Sequence, residues 1–402
     1  MPHRLVVLVL ALTALVTARA ASQDGYRDRA LRILRAVPLI DGHNDLPGEI
    51  RGRGGLDSVD IAVSQPALHT DIARLRAGGV GAQFWAAYVP SSTMQSGTHS
   101  AVYALEQIAL VHRLCARYPE AFAPARTAAD IERNFQARRI SCLIGIEGGH
   151  ALESSLGALR AFADLGVRYI TLTHWATTDW ADAATDSARH GGLTAFGEEV
   201  VREMNRLGVM VDLSHVSDGT MVDALRVSAA PVMYSHSSAR ALAAHARNVP
   251  DSILAMVGRQ GGVVMVNFAP FFISEEARRY DEEWGFAGAR GRGLFAAGAD
   301  TATVRDSLRA WEGRAPRATL AQVADHLEHI RRVCGIGCVG LGSDFDGISS
   351  TPTGLEDVSK FPDLLAELLR RGWSDADVRK AVGENVLRVM RRVEQVAGEM
   401  GR

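Results

Sequence analysis

Apolar, β-branched or aromatic runs recur along the chain at residues 37–40, 82–88, 140–146, 169–173, 209–213, 232–234, 262–267 and 338–341. Between most of them lie stretches whose apolar residues repeat at helical spacing, at 101–117, 151–165, 198–207, 218–228 and 253–259. Eight strands separated by helices is the count of an α/β fold of the (β/α)8, TIM-type barrel class, where catalytic groups sit on loops at the carboxyl ends of the strands. An open doubly wound sheet would need a Gly-rich phosphate loop after the first strand. The first run leads instead into Asp41-Gly42-His43-Asn44-Asp45.

The residues that end the runs are the next constraint. His43 and Asp45, two apart on extended backbone, share a face. The third run ends in Glu147-Gly148-Gly149-His150, and a glutamate after so apolar a stretch, flanked by glycines that admit close neighbours, is not a simply solvated charge. The fourth ends in Thr173-His174-Trp175, the fifth in Asp212-Leu213-Ser214-His215, the sixth in Ser235-His236 and the eighth in Gly342-Ser343-Asp344-Phe345-Asp346-Gly347. Each alone reads more simply as a capped loop or a hydrogen-bonded core histidine. In a barrel all six meet at one mouth, and clustered carboxylates there require a cation. One metal would leave ligands idle, so two are expected, and imidazole with carboxylate suits zinc, with manganese or cobalt open to the same donors. The only lysines, Lys360 and Lys380, lie far from any strand end, so a carboxylated lysine is not the bridging group and Glu147 is the available one.

The 44 basic against 46 acidic residues leave no electrostatic footprint for nucleic acid. His3 and Arg4 precede an apolar run at 5–16, and Ala18-Arg19-Ala20 before Ala21 makes a small-x-small cleavage pattern. The expectation is a secretory signal peptide over 1–20 and a single hydrolase barrel domain over 21–402, periplasmic or extracellular. No membrane span is expected in the mature form, and no hydrophobic tail at 393–402 for a lipid anchor. Cys115, Cys142, Cys334 and Cys338 are too few for a disulfide scaffold. Cys142 reads as a small core residue, whereas Cys334 and Cys338 could pair in an oxidising compartment. Residues 89–136 read as largely helical, and 269–318 as a long insertion at the active face, a lid, a contact within a homodimer or a decorative helical segment. A closing helix is expected over 373–393 with Ser374 as its N-cap.

Taken together, His43-Asn44-Asp45, Glu147-Gly148-Gly149-His150, Leu172-Thr173-His174, Asp212-Leu213-Ser214-His215, Ser235-His236-Ser237, Arg247-Asn248-Val249-Pro250-Asp251 and Gly342-Ser343-Asp344-Phe345-Asp346-Gly347 closely resemble the membrane dipeptidase (renal dipeptidase) family of binuclear zinc peptidases. The resemblance also takes in Leu68-His69-Thr70-Asp71 and Gly79-Val80-Gly81-Ala82-Gln83-Phe84-Trp85, and runs in order from about residue 32 to about residue 395. It implies that His43, Asp45 and Glu147 hold one zinc and that Glu147, His215 and His236 hold the second. It further implies that His174 donates to the developing oxyanion, that Arg247 takes the terminal carboxylate of a dipeptide substrate, and that Asp344 is the acid/base. A hydroxide bridging the two metals would attack the peptide carbonyl, and dipeptides with a C-terminal D-residue would be accepted.

Neighbouring groups carry weaker expectations: Asp41 and His150 as orienters of ligands or as partners of backbone groups only, Asp346 as a turn residue, Trp175 and Trp180 as pocket wall or core, Asp179 and Asp182 as loop charges. Gly48 and Glu49, just past the first metal motif, stand where mammalian members of the family are expected to have a bulkier group. Two further functions stay open. A barrel metallohydrolase acting on another small amide, lactone or β-lactam would keep the metals without needing a free carboxylate. A non-catalytic binding protein would be expected to have lost Asp344 or His174, and both are present.

Overall fold

Each apolar run forms a strand whose residues are almost all buried on both faces, which is what a parallel sheet sheathed in helices demands. The computed structural model describes residues 25–95, 99–284 and 314–401. The segment read as a signal peptide and the centre of the 269–318 insertion lie outside the described residues. The strands are β1 Leu39–Asn44, β2 Val80–Tyr88, β3 Phe122–Pro124, β4 Ile140–Glu147, β5 Val167–Thr171, β6 Met210–Asp212, β7 Met233–Tyr234, β8 Val263–Val266 and β9 Val339–Leu341. All pair in parallel, β1 with both β2 and β9, and β2 with β4, so eight of them close into a ring in the order β1-β2-β4-β5-β6-β7-β8-β9.

The ninth strand, β3, was not expected within 89–136. It lies outside the ring against Ile140 to Cys142 of β4, just before β5 begins to pair at Ile144. Three residues ending in Pro124, between the helices Ser100–Arg117 and Ala128–Gln136, carry no periodicity from which to read a strand. The helix expected over 151–165 is also divided: a 3-10 turn spans Gly149–Leu152, Glu153 and Ser154 take positive φ, and the α-helix is Leu156–Asp164, capped by Ser155.

Ile40, Phe84, Leu143, Tyr169, Met233, Val263 and Met265 share one buried cluster with Val386, Val389, Met390 and Val393. The closing helix therefore lies across the amino-terminal mouth of the barrel. Ser374 caps it as expected, accepting from the Asp377 N–H at 3.1 Å, and a π-helical turn at Lys380–Glu384 precedes its long part, Asn385–Glu399. Inside the barrel, Gly145 is paired with Tyr169, and a Cβ on Gly145 would stand 1.9 Å from the tyrosine ring. That missing side chain is the space in which Tyr169 lies.

Cys334 and Cys338 form a disulfide, in keeping with the sequence. Cys142 is not a free core residue: it is bonded to Cys115, because the helix Ser100–Arg117 packs back on β2 and β4 and brings the two Cα atoms to 6.5 Å.

His326, fully buried in the helix Leu320–Cys334, ties two loops of the carboxyl-terminal face together. Its Nδ1 accepts from the Ala239 N–H and its Nε2–H donates to the Ile273 carbonyl, both at 3.0 Å. A second proton would face the Ala239 donor, and burial pulls the imidazole down to about 4. With the unfolded value near 6.5, the unfolded chain binds the extra proton between pH 6.5 and 4, so stability falls as pH drops through that window. We expect His326→Gln, followed by urea melts from pH 7 to 4, to remove roughly 3 kcal/mol of that acid dependence. Parallel curves for the two proteins would show that His326 does not titrate this way.

Candidate active site

All eight residues singled out for the site come together at the carboxyl-terminal mouth. Glu147 is the last residue of β4, and its two oxygens face different partners. Oε1 lies 2.9 Å from His215 Nε2, 3.3 Å from His236 Nε2 and 3.6 Å from His174 Nε2. Oε2 faces His43 Nε2 at 3.6 Å, and that same nitrogen is 3.1 Å from Asp45 Oδ2. Burial alone would raise Glu147, but the imidazoles around it hold the carboxyl well below its usual range.

Two of the other ring nitrogens have partners of their own, whereas Nδ1 of His174 and of His215 has none among the described residues. His43 Nδ1 is 2.8 Å from the Tyr169 hydroxyl and His236 Nδ1 is 2.8 Å from Ser235 Oγ. Beneath them, Asp212 accepts from the N–H groups of Ser214 and Ser235 and from the hydroxyls of Thr171 and Ser235. Asp41 does the same on the other side, accepting from Ser343 N–H at 2.8 Å and Ser343 Oγ at 2.6 Å. Burial pushes Asp41 up to about 6, against those hydrogen bonds.

These donors fit a divalent metal. The Nε2 atoms of His215 and His236 stand 3.0 Å apart over one carboxylate oxygen, and at most one proton can lie between them. His43 Nε2, fully buried, has no hydrogen-bond partner and faces two carboxylates. Lone pairs and anionic oxygens converging in this way repel one another unless a cation lies among them. Ligand atoms of His43, Glu147 and His236, and likewise of Glu147, His174 and His215 and of His43, Asp45 and Asp344, lie within 4.8 Å of one another.

Above this cluster opens a cavity of about 710 Å³ lined by Asp45, Glu147, His174, His215, Arg247 and Asp344 among others. His174 is buried against Tyr88 and Trp175, and burial pulls it down to about 4. Asp344 Oδ2 accepts from Asn267 Nδ2 at 2.8 Å. Burial, opposed by His43 and reinforced by Asp45 and Glu147, pushes its carboxyl well above the usual range. Arg247 is 1% exposed, lies 5.3 Å over the Phe272 ring, and donates to Ser237 Oγ and the His236 carbonyl at 3.2 and 3.3 Å. It makes no ion pair among the described residues, and its Nε has no partner. Burial lowers it to about 10, so it stays charged. His215, Asp344 and Asp346 all adopt positive φ, between 63° and 71°, a strain that persists only where the surroundings impose it.

Several weaker expectations change. Asp41 does orient the site through Ser343, but His150 faces the Pro90 carbonyl and touches no ligand. Trp175 lines the cavity, while Trp180 is core packed on Phe196. Asp182 is no loop charge: fully buried, it accepts the N–H groups of Arg189, His190 and Gly192 and shapes that loop. Asp346 is more than a turn residue, since its Oδ1 accepts the His69 N–H at 2.6 Å and pins the β1–β2 loop to the mouth. Gly48 and Glu49 both line the cavity. Tyr169, Ser235 and Asn267 escaped the sequence reading because a tyrosine within a strand and polar residues beside a histidine carry no signal until their partners are known.

The family model described as membrane dipeptidase (peptidase family M19) matches residues 27–402. The chain is 42% identical to Dipeptidase 3 of Mus musculus over 382 residues, covering 93% of this chain and 68% of that protein. To Dipeptidase verJ of Clonostachys rogersoniana it is 40% identical over 396 residues, covering 96% and 92%. Among solved structures, the probable dipeptidase PvdM from Pseudomonas aeruginosa superposes with a TM-score of 0.80 at 24% identity, over 93% of this chain and 99% of that one. A metallo peptidase from Rhodobacter sphaeroides, solved with a phosphinate mimic of L-Ala-D-Ala, superposes at 0.72 with 26% identity, over 89% and 99%.

Tyr169→Phe keeps the ring in its barrel slot and removes only the hydroxyl beside His43 Nδ1. Zinc affinity, measured by chelator competition, is expected to fall about 10–100-fold with the melting temperature of the metal-free protein little changed. Unaltered affinity would mean that the hydroxyl does not orient His43.

Proposed function

This chain belongs to the membrane dipeptidase family, M19, and is a metal-dependent dipeptidase, and from that premise we propose that it works with two zinc ions on dipeptides held by their C-terminal carboxylate. His43, Asp45 and Glu147 hold one ion, and Glu147, His215 and His236 the other. The chemistry supplied by such a bound pair is polarisation of the scissile carbonyl and acidification of the attacking water. Asp344, steadied by Asn267, accepts the proton of that water and returns it to the leaving nitrogen. His174 donates to the oxygen on which negative charge develops. Arg247 fixes the far end of the substrate, its planar fork matching a carboxylate.

The observation that carries the substrate class is the buried guanidinium of Arg247, without an ion pair among the described residues, in the wall of the cavity onto which the His/carboxylate cluster opens. A buried cation without a counter-charge is unfavourable, and a terminal carboxylate supplies one. The direct test is hydrolysis of Ala-D-Ala beside its C-terminal amide. Zinc-loaded protein is expected to cleave the acid at least about tenfold faster, with activity abolished by a chelator. Arg247→Lys should erode that preference, and Asp344→Asn should lower kcat roughly 10²–10⁴-fold with both metals bound. Equal cleavage of acid and amide would move the assignment to a broader small-amide hydrolase.

We further infer export from the cytoplasm, on the strength of the basic, apolar and small-x-small order at 3–21. No helix among the described residues is long and apolar enough to cross a membrane. N-terminal sequencing of protein recovered outside the cytoplasm should begin at Ala21; a start at Met1 would count against cleavage.

A further inference from the structure

Asp281 lies on the helix Glu275–Trp284, which follows the short helix Pro270–Ile273 in the insertion after β8. The residue is 7% exposed, it lines the same cavity as Arg247 and Asp344, and its Oδ1 has no hydrogen-bond partner among the described residues. Both cations on its own helix are already engaged: Arg278 is paired with Glu275 at 2.7 Å and with Glu282, and Arg279 with Glu275 at 3.1 Å. A carboxylate buried without a partner is expensive to keep, and one that faces a binding cavity can be completed by the ligand. Burial and the neighbouring Glu282 push it up to about 6, so it is largely ionised at neutral pH.

Its place in the cavity is set by the neighbourhood of Arg247. Phe272 lies under the Arg247 guanidinium, Asn248 Nδ2 donates to the Phe272 carbonyl at 2.8 Å, and the Ala244 N–H donates to Glu275 Oε2 at 2.9 Å. The loop that carries Arg247 and the two helices that carry Phe272 and Asp281 are thus knitted into one wall. A dipeptide whose terminal carboxylate sits on Arg247 turns its C-terminal residue toward that wall.

We propose that Asp281 reads the side chain of the substrate's C-terminal residue and selects a cationic one, a primary ammonium or a guanidinium. The proposal rests on the assignment of Arg247 to the terminal carboxylate. Met, Leu or norleucine in the same position would leave Asp281 buried and unpaired, so discrimination comes as much from rejecting apolar side chains as from attracting charged ones.

The test compares kcat/KM of zinc-loaded protein on Ala-Lys, Ala-norleucine, Ala-Glu and Lys-Ala, for the wild type, Asp281→Asn and Asp281→Lys. The wild type is expected to favour Ala-Lys over Ala-norleucine by about tenfold or more, mostly through KM. Asp281→Asn should abolish the preference by lowering the Ala-Lys value alone, and Asp281→Lys should shift it toward Ala-Glu. Activity on Ala-norleucine reports that each variant is folded and metal-loaded. Equal losses on Ala-Lys and Ala-norleucine, or a loss on Lys-Ala in place of Ala-Lys, would overturn the assignment of Asp281 while leaving the dipeptidase site intact. A wild type that cleaves none of the four would instead bring down the site assignment on which it stands.

Discussion

The Glu147 carboxylate, buried among four imidazoles, is the interaction on which the rest of this structure depends. Its Oε1 gathers His174, His215 and His236, and its Oε2 reaches toward His43. A carboxylate with so little water around it is tolerable only where positive or polarisable partners surround it on every side. The closed barrel provides that enclosure, because β4 ends beside β5 on one flank and β2 on the other while β6, β7 and β1 deliver their histidines across the mouth. Remove β1, β5, β6 or β7 from the ring and one of the partners is lost.

Support for those partners is built twice in the same way. Asp41 on β1 accepts the N–H and hydroxyl of Ser343 beyond β9, and Asp212 on β6 accepts the N–H and hydroxyl of Ser235 beyond β7. In each case a carboxylate buried on one strand bonds both polar groups of a serine just past another strand and so fixes the loop that carries Asp344 or His236. Pairs of this kind tie strand ends by side chains where the short strands themselves, two or three residues at β7 and β9, offer few ladder bonds.

Around the metal cluster the cavity wall keeps charges that lack partners of their own. Arg247 and Asp281 are both buried and both without an ion pair among the described residues, one a fork for an anion and the other a carboxylate facing a space a cation can fill. Sites that read a small zwitterionic molecule gain specificity in this way, since a ligand lacking either charge leaves a buried group unpaired.

The eight barrel strands, the residues that end them and the convergence of His43, Asp45, Glu147, His174, His215, His236 and Asp344 were legible in the sequence alone, whereas Arg247, which ends no strand, was placed there only by the family resemblance. Buried parallel strands write themselves as continuous apolar runs, and a polar residue at the end of such a run has few places to go. Long-range pairings were not legible. Cys115 with Cys142, Tyr169 with His43, Asp346 with His69, and Asp281 on the wall beside Phe272 each join residues whose local patterns carry no mark of the partner. Periodicity and strand-end chemistry are local properties, and they determined the fold class and the metal-binding centre. Which buried groups meet, and which remain unpaired and therefore available to a substrate, depends on how the closed barrel brings distant segments into one low-dielectric space, and only the tertiary structure decided that.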